Sequence, residues 1–164
     1  MSVLPTGVGI SRAEERQRLL WAGRTTFDIV LDASQTQGRV ALLDQWGERG
    51  DVTPMHIHHD DAEIFYVLEG SIVAWAGDDQ LSLGAGGAVY LPSGQPHAFG
   101  VMSPTARIFS VTTPVGFAAF VREAGVPVHG DVPATWEFDI GSLMAAASAH
   151  RIDIVGPPPA LPLD

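Results

Sequence analysis

The sequence predicts an all-β barrel in one domain with short helical flanks, and three observations carry that expectation. Its 164 residues are 46% hydrophobic, enough to close one core without disulfides. Between Thr26 and Thr113, short apolar or alternating runs are broken by Gly, Pro, Asp and Ser at the spacing of an antiparallel sandwich or barrel. Helix signals are confined to the two ends.

Taken in order, Thr26–Leu31, Gly38–Gln45, Pro54–His58, Ala62–Glu69, Ser71–Ala76, Gln80–Leu83, Ala88–Leu91, Ala98–Met102 and Arg107–Thr113 read as strands. Residues 26–114 are therefore the barrel, 1–25 an N-terminal arm and 115–164 a C-terminal helical flank and tail. In the arm, Ser11 precedes Glu14 by three residues, a capping-box spacing that opens a helix over Ser11–Leu20. In the flank, Val115–Ala124 and Ile140–His150 read as helices, the first stopped by Gly125, before an apolar Ile152-Asp-Ile-Val run and a Pro-rich end.

Composition excludes several classes of function. With no cysteine there is no disulfide scaffold, thiolate nucleophile or Cys-ligated metal, and a reducing cytoplasm suits the chain. All nine basic residues are arginine, which removes Schiff-base chemistry and a P-loop lysine. A formal charge of -10 with no basic stripe argues against nucleic acid and anionic membrane surfaces as partners. No window approaches the roughly 18 apolar residues of a membrane span, and Glu and Arg interrupt the N-terminus where a secretory signal carries its apolar core. A soluble cytoplasmic protein is the expectation.

One constellation carries chemistry. In a strand, residues i and i+2 project from one face about 6.5–7 Å apart, so His56 and His58 can aim at one point and close the gap with metal bonds of about 2.1 Å. Asp60-Asp61 makes a polar turn, and the returning strand brings Glu63 back beside His58. Glu63, Phe65 and Val67 share the inward face, and a carboxylate buried there needs a partner. Farther on, Pro92-Ser-Gly94-Gln reads as a turn after which His97 opens a new strand and can deliver a third imidazole. Three imidazoles and a carboxylate suit one divalent transition-metal ion (Ni, Fe, Mn, Co, Cu or Zn) better than Ca or Mg.

These two segments resemble the paired motifs of the cupin superfamily. The first reads Gly50, five residues, His56-x-His58, four residues, Glu63, six residues, Gly70; the second reads Gly86, five residues, Pro92-x-Gly94, two residues, His97. Where the family commonly closes the second motif with Asn, this chain has Val101, a departure that touches packing more than the metal. The resemblance implies a double-stranded β-helix, or jelly roll, with His56, His58, Glu63 and His97 as ligands. Within the superfamily the single-domain arrangement resembles small bacterial quercetinase-like proteins. That looser likeness rests on Glu63–Gly70, the helix after the barrel, and the Ala-rich helix leading into Ile152. It implies an aromatic, flavonol-like small-molecule substrate and O2, with Glu63 as the base for the 3-hydroxyl and ring opening that releases carbon monoxide.

Other residues take quieter expectations. Phe65, Val67, Leu91, Phe99 and Phe109 are candidates for the lining of a substrate pocket, although inward apolar residues are more often plain core. His59 points away from the site, Glu69 faces solvent, and His129 and His150 are solvated. Two further readings stay open: an oxygen-independent metal cupin cyclase or isomerase, and a non-catalytic ligand-binding cupin. A homodimer is expected, with the arm Ser11–Leu20 and strand Thr26–Leu31 covering or swapping a barrel edge.

Overall fold

The computed structural model describes residues 7–114 and 116–162, and places two antiparallel sheets face to face in a jelly roll. The chain runs through a 3-10 turn at Ala13–Glu15, β1 (Gln17–Leu20), β2 (Thr26–Leu31), α1 (Ala33–Thr36), β3 (Ala41–Glu48), β4 (Met55–His58) and β5 (Ala62–Glu69). It continues with β6 (Ser71–Ala76), β7 (Asp79–Gly84), β8 (Ala88–Leu91), β9 (His97–Val101) and β10 (Thr105–Thr113). The elements α2 (Phe117–Ala124), β11 (Val126–Val128), α3 (Ile140–Ala149) and β12 (Ile152–Gly156) complete it. One sheet has the order β11-β1-β2-β3-β10-β5-β8 and the other β12-β4-β9-β6-β7.

Alternation decides which side chains enter the barrel. Along β10, Ala106, Ile108, Ser110 and Thr112 are buried while Arg107, Phe109 and Val111 lie on the outer face and are half-buried. Along β5 the inward set is Glu63, Phe65 and Val67. The lower half of the barrel is a packed apolar core in which Val67, Ile72, Val101, Ala106 and Ile108 are almost wholly inaccessible. The outer face is tied by charge: Arg107 makes a bidentate pair with Asp44 at 2.9 and 2.7 Å, and Arg18 one with Asp28 at 2.6 and 2.6 Å.

The arm differs from its sequence expectation. Instead of a helix over Ser11–Leu20, only Ala13–Glu15 turns, and Gln17–Leu20 is a strand. The Ser11 hydroxyl accepts from Arg16 Nε at 3.3 Å and caps nothing, and Arg12 at the cap position makes no side-chain capping bond, its guanidinium lying 3.6 Å from Glu15 instead. Strand wins because it bonds β2 on one edge and β11 on the other while burying Leu19 and Leu20. This strand covers the edge of β2 within the same chain.

The C-terminal flank also contributes more than helices. Helix α2 starts at Phe117, with Val115 outside the described residues, and α3 ends at Ala149, one residue before its expected end. The Ile152-Asp-Ile-Val run is strand β12, pairing antiparallel with β4 so that Ile152 stands opposite His58 and Ile154 opposite His56. Among the described residues, no helix is long and apolar enough to cross a membrane.

Candidate metal centre

Two turns bring the ligands together. Strand β4 delivers His56 and His58, and the polar turn at Asp60-Asp61 returns the chain as β5 with Glu63 at its second position. The Pro92–Gln95 turn needs a residue with positive φ, supplied by Gly94 at 80°. The Gly94 N–H donates to the His58 carbonyl at 2.8 Å, clamping the turn against β4, and His97 then pairs directly with His56.

The imidazoles are oriented before any ion arrives. Nδ1 of His56 lies 2.7 Å from the Pro54 carbonyl and Nδ1 of His97 lies 2.8 Å from the Gln95 carbonyl. A carbonyl only accepts, so both Nδ1 atoms carry the proton and both Nε2 atoms present lone pairs to the interior. The His56, His58 and His97 ring centroids are 4.3–5.2 Å apart, and the candidate ligand atoms, Glu63 included, all lie within 4.8 Å of one another. Glu63 Oε2 is 3.4 Å from His97 Nε2 and 4.0 Å from His58 Nε2. Ligands bonded to one ion at about 2.1 Å stand roughly 3.0–4.2 Å apart, so these separations fit a shared ion with little movement.

Burial makes the same point energetically. His58 and His97 are 2% and 1% exposed, yet Nε2 of each and Nδ1 of His58 have no hydrogen-bond partner among the described residues. Orphaned nitrogens in an interior cost about 1–3 kcal/mol each, and an ion among them removes that cost. The four side chains are thus able to hold a metal ion, and their mixed N/O chemistry selects a transition metal.

Electrostatics pre-set the protonation states. Burial, reinforced by the neighbouring His97 and His58, pushes His56 down to about 3 and keeps it neutral. Burial works to raise Glu63, but His97, His58 and the Ser110 hydroxyl outweigh it and hold the carboxyl at about 2. Burial would lower His97, and the adjacent Glu63 carboxylate overrides it and raises that group. Ser110 on β10 donates to Glu63 Oε1, leaving Oε2 for the ligand cluster.

A cavity of about 230 Å³ opens from this cluster between the sheets, reached by His56, His58 and Glu63. Phe65 and Phe99 line it as expected from their parity. The other three candidate lining residues do not. Val67 is packed in the lower core at 0% exposure, Leu91 is packed beside Glu63 on β8 at 1%, and Phe109 stands on the outer face between Asp44 and Tyr66. The sequence reading missed much of the wall: Trp21 from the β1–β2 turn, Phe27 from β2, Phe117 and Phe120 from α2, and Ile152 and Ile154 from β12. The alternating Ile152-Asp-Ile pattern was the available signal for β12.

The remaining candidates fall outside the site. His59 is at the surface with Asp153 Oδ2 2.7 Å from its Nε2, and His129 is exposed. Glu69 is solvent-facing and 3.6 Å from Arg107. His150 departs from the expectation of a solvated residue: it is half-buried against the Phe120 ring, with Glu123 Oε2 2.7 Å from its Nε2.

Comparison with known proteins adds to this geometry. Residues 48–112 match the family described as "Cupin domain", the stretch that contains all four candidate ligands. This stretch of the barrel is similar to a cupin domain. Among curated proteins, quercetin 2,3-dioxygenase from Bacillus subtilis is 28% identical over 145 residues, which is 85% of this chain and 43% of that protein. The chain therefore spans less than half the length of this curated relative. Among solved structures, the cupin barrel superposes on KdgF from Halomonas sp. with a TM-score of 0.57 at 18% identity, covering 65% of this chain and 93% of that one. Oxalate decarboxylase from Bacillus subtilis gives 0.59 at 19% identity over 68% of this chain and 31% of that one. At such identities these two likenesses speak for the fold.

Proposed function

We propose that this cupin is a metal-dependent dioxygenase that opens the heterocycle of a flavonol or related aromatic enol with O2. The observation that carries the reading is the pairing of a His56–His58–His97–Glu63 cluster with an aromatic-walled cavity that reaches it from one side. The relationship to quercetin 2,3-dioxygenase supports the choice of substrate class. Four protein ligands on an ion that accepts five or six leave room for a chelating substrate. A bound divalent ion supplies Lewis acidity toward the substrate oxygens and, if redox-active, a means of engaging O2.

The chain's own residues do the rest. Glu63 Oε2 receives the proton of the substrate's enolic hydroxyl, while Ser110 keeps Oε1 in place. Phe65, Phe99 and Phe117 present ring surface to a planar substrate and keep water from the reacting carbons.

The test is dioxygen uptake by protein reconstituted in turn with Fe(II), Mn(II), Co(II) and Ni(II), with quercetin as substrate and flavonol loss followed by absorbance. Matched uptake and loss with one ion supports the reading. Flavonol binding without uptake under every ion replaces it with an oxygen-independent cyclase or isomerase. Glu63→Gln with full metal content and full turnover would remove the base role.

A further inference from the structure

We infer that Gln45 is the residue that reads the substrate at the end of the cavity away from the ion, by hydrogen-bonding a hydroxyl or carbonyl on a planar aromatic ligand. This deepens the reading above and rests on it for the substrate class. Gln45 is inward on β3, 4% exposed, and lines the same cavity as His56, His58 and Glu63. No hydrogen bond to its side-chain amide is found among the described residues, and its polar atoms open onto the cavity and are not sealed in the packed interior.

Its neighbours on the wall show how unusual that is. Thr25 donates to Asp51 at 3.1 Å, and Asp51 also accepts from the Arg24 and Glu48 backbone N–H groups. Thr53 Oγ accepts from the Phe99 N–H at 3.0 Å. Thr25, Asp51 and Thr53 are thus satisfied by the protein itself, whereas Gln45, like the nitrogens aimed at the ion and the Trp21 indole N–H, has no partner among the described residues. A buried amide with two donors and an acceptor idle is unfavourable unless a ligand or water in the cavity engages it.

The strand register gives the distance. Ala41 on β3 is level with Thr112 on β10 and, through it, with Glu63 on β5. Gln45 lies four residues along β3 from that level, beside Ile108, so about 13 Å of strand separates the two ends. Allowing for both side chains, a rigid aromatic system of two to three rings spans the interval. The ligand would carry an enol–carbonyl pair at one end and a single hydrogen-bonding group at the other. Phe27, Phe65 and Phe99 supply the apolar stretch between.

Gln45→Met, close in volume and without hydrogen-bonding capacity, provides the test in two arms. In the first, thermal melting is followed on zinc-loaded, ligand-free protein. An amide kept for a ligand gives the variant a melting temperature equal to or above the parent's, whereas a fall of several degrees would assign Gln45 a structural partner and overturn the inference. In the second, anaerobic binding of quercetin and of 3-hydroxyflavone, which lacks the distal hydroxyls, is titrated with metal content checked in parallel. The parent is expected to prefer quercetin by about 10- to 100-fold and the variant to lose that preference at unchanged metal content. An unchanged preference in the variant overturns the inference. If neither flavonol binds the parent, the flavonol reading fails, and the melting arm still decides whether Gln45 is free for a ligand.

Discussion

The two halves of the barrel are built from the same strands and differ in what those strands leave unsatisfied. Along β10, Ala106 and Ile108 enter a close-packed core, whereas Ser110 and Thr112, two and four residues on from Ile108, enter the region of Glu63. Strand β5 repeats the change from Val67 to Glu63. One half removes apolar area from water and packs closely, with space left only on the β3 side where Gln45 faces the cavity. The other buries imidazoles with idle nitrogens beside a cavity, a local cost that an ion offsets. Stability and chemistry are therefore separable along a single strand.

The sharpest way to break that division is a truncation in the packed half. Ile108→Ala should cost about 2–5 kcal/mol in a denaturant titration while the folded protein keeps its full metal stoichiometry. Loss of metal under native conditions would show that the halves are coupled. Next in size, His97→Ala should weaken metal affinity by about 100-fold or more, measured by competition with a chelator, and leave the metal-free melting temperature within a few degrees of the parent. Global unfolding of that variant would contradict the separation.

Smaller changes sharpen it. Ser110→Ala removes the donor that holds Glu63 Oε1, and metal affinity should fall by about 10-fold, with Ser110→Thr recovering part of it. The smallest effect belongs to the support of the cavity roof, where Arg122 of α2 pairs with Asp32. Burial works to raise Asp32, but the Ser34 and Arg122 contacts outweigh it and hold the carboxyl below its ordinary 3.8. The stabilisation is thus present above pH 3.8 and lost as pH falls below it. Asp32→Asn should cost about 1 kcal/mol or less at neutral pH, and its melting curve should converge on the parent's in acid. A difference that persists at low pH would mean the pair does not act through charge.

Much of the barrel was legible in sequence because alternation with a period of two needs only local pattern. Thr26–Leu31, Ala62–Glu69, Ser71–Ala76 and Ala88–Leu91 coincide with the strands found. Phe109 was misread because both faces of β10 mix polar and apolar residues: Arg107, Phe109 and Val111 outside, Ile108, Ser110 and Thr112 inside. Such a strand has two plausible parities, and only its neighbours choose. The arm was misread for a related reason. A capping-box spacing is a local preference of about 1 kcal/mol, and pairing Gln17–Leu20 with two strands outweighs it.

The sequence by itself determined the β architecture and brought forward His56, His58, Glu63 and His97, since spacing within a hairpin and after a turn is enough to aim side chains at one point. Tertiary structure alone decided the cavity. Its wall is drawn from the β1–β2 turn, α2 and β12, segments far apart in the chain, and its idle amide, Gln45, is a β3 side chain whose lack of a partner among the described residues no local pattern records. Whether a buried polar group is satisfied depends on every element packed around it, which is a property of the closed barrel and not of any stretch of sequence.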